Sequence, residues 1–101
     1  MGLDILAYQK DSKLIKMFEF DEELYQIIFT NNRINKQYKF LYLVNDYYKT
    51  DVTYAGDSLK AFIQELNSIR GIIPKDKQYK LDHLLHYFSL DGIYKVRITG
   101  D

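Results

Sequence analysis

The chain has 101 residues, 47% of them apolar and 16% aromatic, which is enough for one hydrophobic core and too little for two, so residues 1–101 are read as a single domain. Fourteen basic side chains balance fourteen acidic ones, which removes the long-range field that draws a protein to nucleic acid or anionic lipid and leaves charged partners to be met by local patches. No cysteine is present, which excludes disulfides, thiolate metal sites and cysteine nucleophiles and fits a reducing compartment.

The first segment, "LDILAYQ", alternates Leu3, Ile5 and Ala7 against Asp4, Leu6 and Tyr8, and "LIKMFEF" alternates again after the turn-like "KDSK". The two read as an antiparallel hairpin. The start has neither the basic region nor the apolar stretch of a secretory signal, and no run approaches a membrane span, so a cytoplasmic protein that does not enter a bilayer is expected.

"FDEELYQIIFTNN" predicts a short helix. Asp21 is placed to cap it, Glu22 and Glu23 sit where the helix dipole favours negative charge, and Phe20 and Tyr25 occupy the two positions of a hydrophobic staple. Leu24, Ile27 and Ile28 follow at helical spacing, with Asn31 and Asn32 as terminators.

"FLYLVNDYYKTD" fits either a central strand or a helix. Phe40, Leu43, Val44 and Tyr47 fall at i, i+3, i+4 and i+7, and this stripe outlasts the strand alternation, which breaks at Asn45 and Asp46. A helix over residues 36–48 is therefore expected. "TDVTYAGD" reads as a brief extended piece with Val52 and Tyr54 on one side.

"DSLKAFIQELNSIRG" predicts a helix capped by Asp57 or Ser58, with Leu59, Phe62, Ile63, Leu66 and Ile69 inward and Gly71 as its stop. Phe62 and Leu66 are expected at the centre of the core. "KDKQYKLDHLLHYFSLDG" predicts another helix with Leu81, Leu84, Leu85 and Phe88 inward, and "IYKVRIT" a closing strand with Tyr94, Val96 and Ile98 on one face. The expected fold is α+β: a small antiparallel sheet, the N-terminal hairpin plus the C-terminal strand, packed against about four helices.

Chemical motifs are sparse. His83 and His86 share a helix face, but a zinc site needs three or four converging ligands and helical pairs usually stand four apart, so two surface histidines explain the pattern and no metal or cofactor is expected. There is no phosphate-binding glycine loop and no nucleophile elbow. Arg33, Lys36 and Lys39 in "NNRINKQYK" read as a solvated connection rather than a nucleic-acid contact. Acidic residues and tyrosines gather between residues 40 and 66. Asp46, Tyr48, Asp51, Tyr54 and Asp57 form the candidate partner-binding face, since tyrosine brings contact area at low entropy cost and carboxylates reject wrong partners. The same rings also read as boundary residues of the core.

The succession "MGLDI", "FEFDEELYQIIF", "LVNDYYKTDVTYAGDSLKAFIQEL" and a final strand after "DG" resembles small bacterial immunity proteins of polymorphic-toxin and contact-dependent inhibition systems. The resemblance covers most of the chain. It implies a non-enzymatic cytoplasmic inhibitor that binds one cognate toxin domain. The alternative is a small structural or adaptor domain that self-associates or binds another protein.

Overall fold

A computed structural model describes residues 3–30, 38–45 and 49–100. Four strands form one antiparallel sheet: β1 (Leu3–Tyr8), β2 (Leu14–Phe20), β3 (Asp51–Ala55) and β4 (Lys95–Thr99), in the spatial order β2-β1-β4-β3. The hairpin forms as expected, and its turn places Ser12 at φ 70°. The C-terminal strand returns beside β1, with Ile5 opposite Ile98 and Ala7 opposite Val96. The "brief extended piece" is a full fourth strand, because Val52 and Tyr54 lie in register with Ile98 and Val96 and extend the apolar face of β4.

Helices α1 (Glu22–Phe29), α2 (Lys39–Tyr42), α3 (Asp57–Ser68) and α4 (Gln78–Phe88) complete the α+β fold. One core unites the inner sheet residues Leu3, Ile5, Phe20, Val96 and Ile98 with Leu24 and Ile28 of α1, Phe62 and Leu66 of α3 and Leu81 and Phe88 of α4. Phe62 and Leu66 are fully buried. Leu85 and Ile63 are only partly covered and pack at the core's margin. Among the described residues no helix is long and apolar enough to cross a membrane.

The entry to α1 follows its local chemistry. Asp21 accepts a hydrogen bond from the Leu24 amide at 2.8 Å, and the Phe20 and Tyr25 rings meet edge to face at 5.7 Å. The helix ends at Phe29 with Thr30 as its C-cap; Asn31 and Asn32 lie outside the described residues.

The segment "FLYLVNDYYKTD" departs from its expected stripe. Only Lys39–Tyr42 is helical, and Leu43 and Val44 form a turn. Leu41 and Val44 are fully buried, Phe40 is half-buried and Leu43 is 50% exposed. A single turn presents only one pair at i and i+3 to the core, and that pair is shifted by one residue from the stripe a longer helix would use. Residues 36, 37 and 46–48, Tyr47 included, lie outside the described residues.

Side chains distant in sequence hold this turn in place. The Glu65 carboxylate accepts hydrogen bonds from the Phe40 and Leu41 amides at 3.2 and 2.7 Å, acting as a cap supplied by α3. The Tyr54 hydroxyl donates to the Phe40 carbonyl and the Tyr25 hydroxyl to the Val44 carbonyl, the latter at 2.8 Å. Isolated helices this short do not hold together in water, so these tertiary bonds account for it.

Two further expectations are corrected at α3. Neither Asp57 nor Ser58 caps it. Gly56 does, at φ 56°, and the Ser58 hydroxyl instead closes on the Ala55 amide and carbonyl, both at 2.9 Å. Gly56 suits this place because left-handed backbone strains any residue with a Cβ. Gly71 does not stop the helix, which ends at Ser68; Gly71 lies in a following 3-10 turn, Arg70–Ile72. Tyr94 precedes β4 and is 41% exposed, so only Val96 and Ile98 face the core from that strand.

Candidate functional site

The five residues proposed from sequence do not form one displayed face. Tyr54 is a core residue, 3% exposed, with its ring stacked on Phe62 at 4.6 Å. Burial, with Glu65 nearby, pushes its hydroxyl well above the ordinary tyrosine value. It is not available to a partner, because in strand β3 it alternates inward with Val52 while Asp51 and Thr53 point away. Asp51 lies on the outer face of the sheet, paired in bidentate fashion with Arg97 at 2.9 and 3.0 Å. That guanidinium holds its carboxyl below the usual carboxylate range. Asp57 is exposed at the start of α3. Asp46 and Tyr48 lie outside the described residues.

Acid and tyrosine do converge elsewhere. A cleft of about 470 Å³ opens between the end of β2, the start of α1 and one flank of α4, lined by Phe18, Glu19, Asp21, Glu22, Tyr79, Lys80, His83, Leu84 and Tyr87. Its rings come from two elements. Tyr79, His83 and Tyr87 recur every fourth residue along α4 and so share one flank. Tyr87 stacks on His83 at 5.2 Å and on Phe18 of β2 at 4.7 Å, which builds a three-ring ladder along the wall. Lys16, two residues before Phe18 on the strand, brings its ammonium to 5.2 Å from the Tyr87 ring. Tyr79 at the other end is 60% exposed.

An ionic clamp fixes the mouth of the cleft. Lys80 reaches Asp21 at 2.8 Å and Glu23 at 3.6 Å, and Lys77 reaches Glu23 at 3.0 Å, tying the start of α4 to the start of α1. Burial pushes the Asp21 carboxyl up, but the Lys80 hydrogen bond and the Leu24 amide outweigh it and leave the group below its ordinary value. Lys77 lowers Glu23 in the same way. The clamp consumes both lysines. Glu19 and Glu22 keep no cationic partner among the described residues.

Three acidic residues against one lysine line this cleft; the Glu19 side chain alternates to the other face of the sheet, which leaves Glu22 as the unpaired carboxylate on the cleft side among the described residues, near the exposed Tyr79 ring that Lys80 approaches at 5.6 Å. Such a surface accepts a cation, above all a guanidinium, which stacks on an aromatic face while donating to carboxylates. Neither His83 nor His86 belongs to a metal cluster, since among the described residues no group of three or more ligating side chains converges.

No family model matches the chain, and neither a curated protein nor a solved structure matches it. The site is therefore read from its own residues. Its acidic half was visible in the N-cap sequence "EFDEE", and its aromatic half in the four-residue recurrence of Tyr79, His83 and Tyr87. What joins them is the packing of α4 against β2, a contact about seventy residues apart in the chain (Tyr87 against Phe18).

Proposed function

We propose that this chain is a non-enzymatic binding protein that neutralises a cognate toxin domain, in the manner of the immunity proteins its sequence resembles, and that the cleft beside α4 receives a basic side chain of that partner. The observation that carries the reading is Glu22, a cleft-lining carboxylate left without a cation among the described residues near exposed Tyr79 and His83, while Lys77 and Lys80 at the cleft mouth are already engaged. Unpaired acid at a desolvatable, ring-lined site is what an incoming arginine needs, and such contacts govern both association rate and discrimination between partners. The Lys77 and Lys80 clamp supports the reading further, because it holds the rings and acids in place before a partner arrives and so lowers the ordering cost of binding.

The test takes as partner any toxin-like domain encoded by a gene adjoining that of this chain. Co-expression with the wild-type protein is expected to restore growth, and purified proteins to bind with one-to-one stoichiometry in calorimetry. The variant E22K, with a thermal transition close to that of the wild type, is expected to lose protection and at least about a hundredfold in affinity, as like charges replace attraction. Full protection by that folded variant would move the binding face elsewhere. Absence of any binding by the wild-type protein would end the inhibitory reading.

A further inference from the structure

The face of the sheet turned away from the helices is ordered in three cross-strand rows. The first runs Glu19, Asp4, Thr99, Asp51; the second Met17, Leu6, Arg97, Thr53; the third Leu14, Tyr8, Lys95, Ala55. The first row holds three acids and no base. Glu19 and Asp4 stand directly opposite each other, an arrangement that costs stability within one sheet. The third row holds Lys95, whose ammonium lies 5.0 Å from the Tyr8 ring, and the adjoining hairpin turn adds exposed Lys10 and Lys13 against one exposed acid, Asp11. Between them Met17 is 64% exposed beside Leu6, and Leu14 in the third row is 49% exposed. The face is therefore graded along the strands from acid, through apolar, to base.

We propose that this face is a two-fold contact between two copies of the chain, with the axis running across the strands along the middle row. An isologous contact requires a self-complementary surface, and the charge pattern selects the axis. A rotation about the strand direction would lay acid on acid. A rotation about the middle row lays the acid row of one copy over the basic row of the other, with Lys95 of the second copy beneath Thr99 and flanked by Asp4 and Asp51. Met17 and Leu6 then meet their own counterparts at the centre. Arg97 also faces its counterpart, with its charge already balanced by Asp51 in each copy. The repulsion between Glu19 and Asp4 is partly offset when Lys95 of the other copy arrives beside Asp4. Four strands of about five residues cover roughly 19 by 17 Å at ordinary strand spacing and rise, about 650 Å² over the two copies, which is smaller than a stable specific interface and fits a weak, transient contact with a dissociation constant of about 100 μM or weaker.

The contact leaves Glu22, Tyr79 and His83 untouched and shares only Glu19 with the cleft lining, so D4K and K95E test dimerisation without altering the cleft, and E22K tests partner capture without altering the dimer. Sedimentation equilibrium of the full chain is expected to show a mass rising from one copy toward two over the micromolar to millimolar range, weakening several-fold when salt rises from about 0.05 to about 0.5 M as screening sets in. D4K and K95E are each expected to weaken the dimer at least about tenfold, and the double variant D4K/K95E to restore it to within about threefold, because the swap returns opposite charges to facing rows. Thermal melts of each variant confirm folding. A single-copy mass at every concentration overturns the proposal and leaves the face to a different protein. A dimer indifferent to the single variants, or one that the double variant fails to restore, overturns the assignment of this face.

Discussion

The two faces of the sheet are made from alternate residues of the same four strands, yet they answer to different demands. The covered face carries Leu3, Ile5, Phe20, Tyr54, Val96 and Ile98, all at most 3% exposed, in one core with residues of all four helices. The open face carries acids, bases and two exposed apolar side chains in rows that no helix covers among the described residues. Burial dictates the first, because every methylene removed from water adds to stability and every void subtracts from it. The second is nearly indifferent to folding. A residue there that works against stability, as Glu19 does opposite Asp4, is informative because stability gives no reason for it.

The comparison breaks most easily on its largest contrast. F62A is expected to cost about 3–5 kcal/mol, whereas M17A on the open face should change stability by less than about 0.5 kcal/mol. Denaturant midpoints with equal m-values decide it. Similar losses for both would mean that the open face is not free of the core.

Next in size comes the one-turn α2, where polar contacts from distant residues join the apolar ones on the covered side. E65A removes the acceptor of two amides and is expected to cost about 1–2 kcal/mol, in the range of a lost helix cap. Y54F is expected to cost about 1 kcal/mol through the lost bond to the Phe40 carbonyl. It also carries a pH signature. The Tyr54 hydroxyl is raised in the folded state above its ordinary value of 10.0, so its contribution is fully present below that pH and is lost as pH rises beyond it, when the unfolded chain ionises first. Wild-type stability should therefore fall above about pH 10, and Y54F should show a shallower fall. Parallel alkaline slopes would count against the buried hydroxyl.

At the acid end the sign reverses. Asp21 and Glu23 are lowered in the folded state, so the clamp's contribution is present above their ordinary values of 3.8 and 4.5 and disappears as pH falls through the folded ones. The effect is small because these groups are largely exposed. K80M should flatten the acid limb of the stability curve, a change readable from midpoints at pH 7 and pH 3.

How far the sequence carries depends on how local the cause is. The hairpin, the Asp21 cap, the staple, and the cores of α3 and α4 were legible because spacing within ten residues determines them. The fate of residues 38–45 was not, because Glu65, Tyr54 and Tyr25 decide it from elsewhere in the chain. Tyr54 misled for the same reason. A tyrosine among acids reads as surface, but its place in β3 turns it inward and gives its hydroxyl a carbonyl to bond. The cleft escaped notice because its acids and rings lie some sixty residues apart and meet only through α4 packing on β2.

The central claim is that the free carboxylates serve association and not the fold, and its most direct test is the stability of E19Q by chemical denaturation at low micromolar concentration and neutral pH. The account predicts a gain of a few tenths up to about 1 kcal/mol, since neutralising Glu19 relieves the like charge opposite it. A loss of about 0.5 kcal/mol or more would contradict it, because Glu19 would then hold the fold together and the acid row would need no partner to explain it.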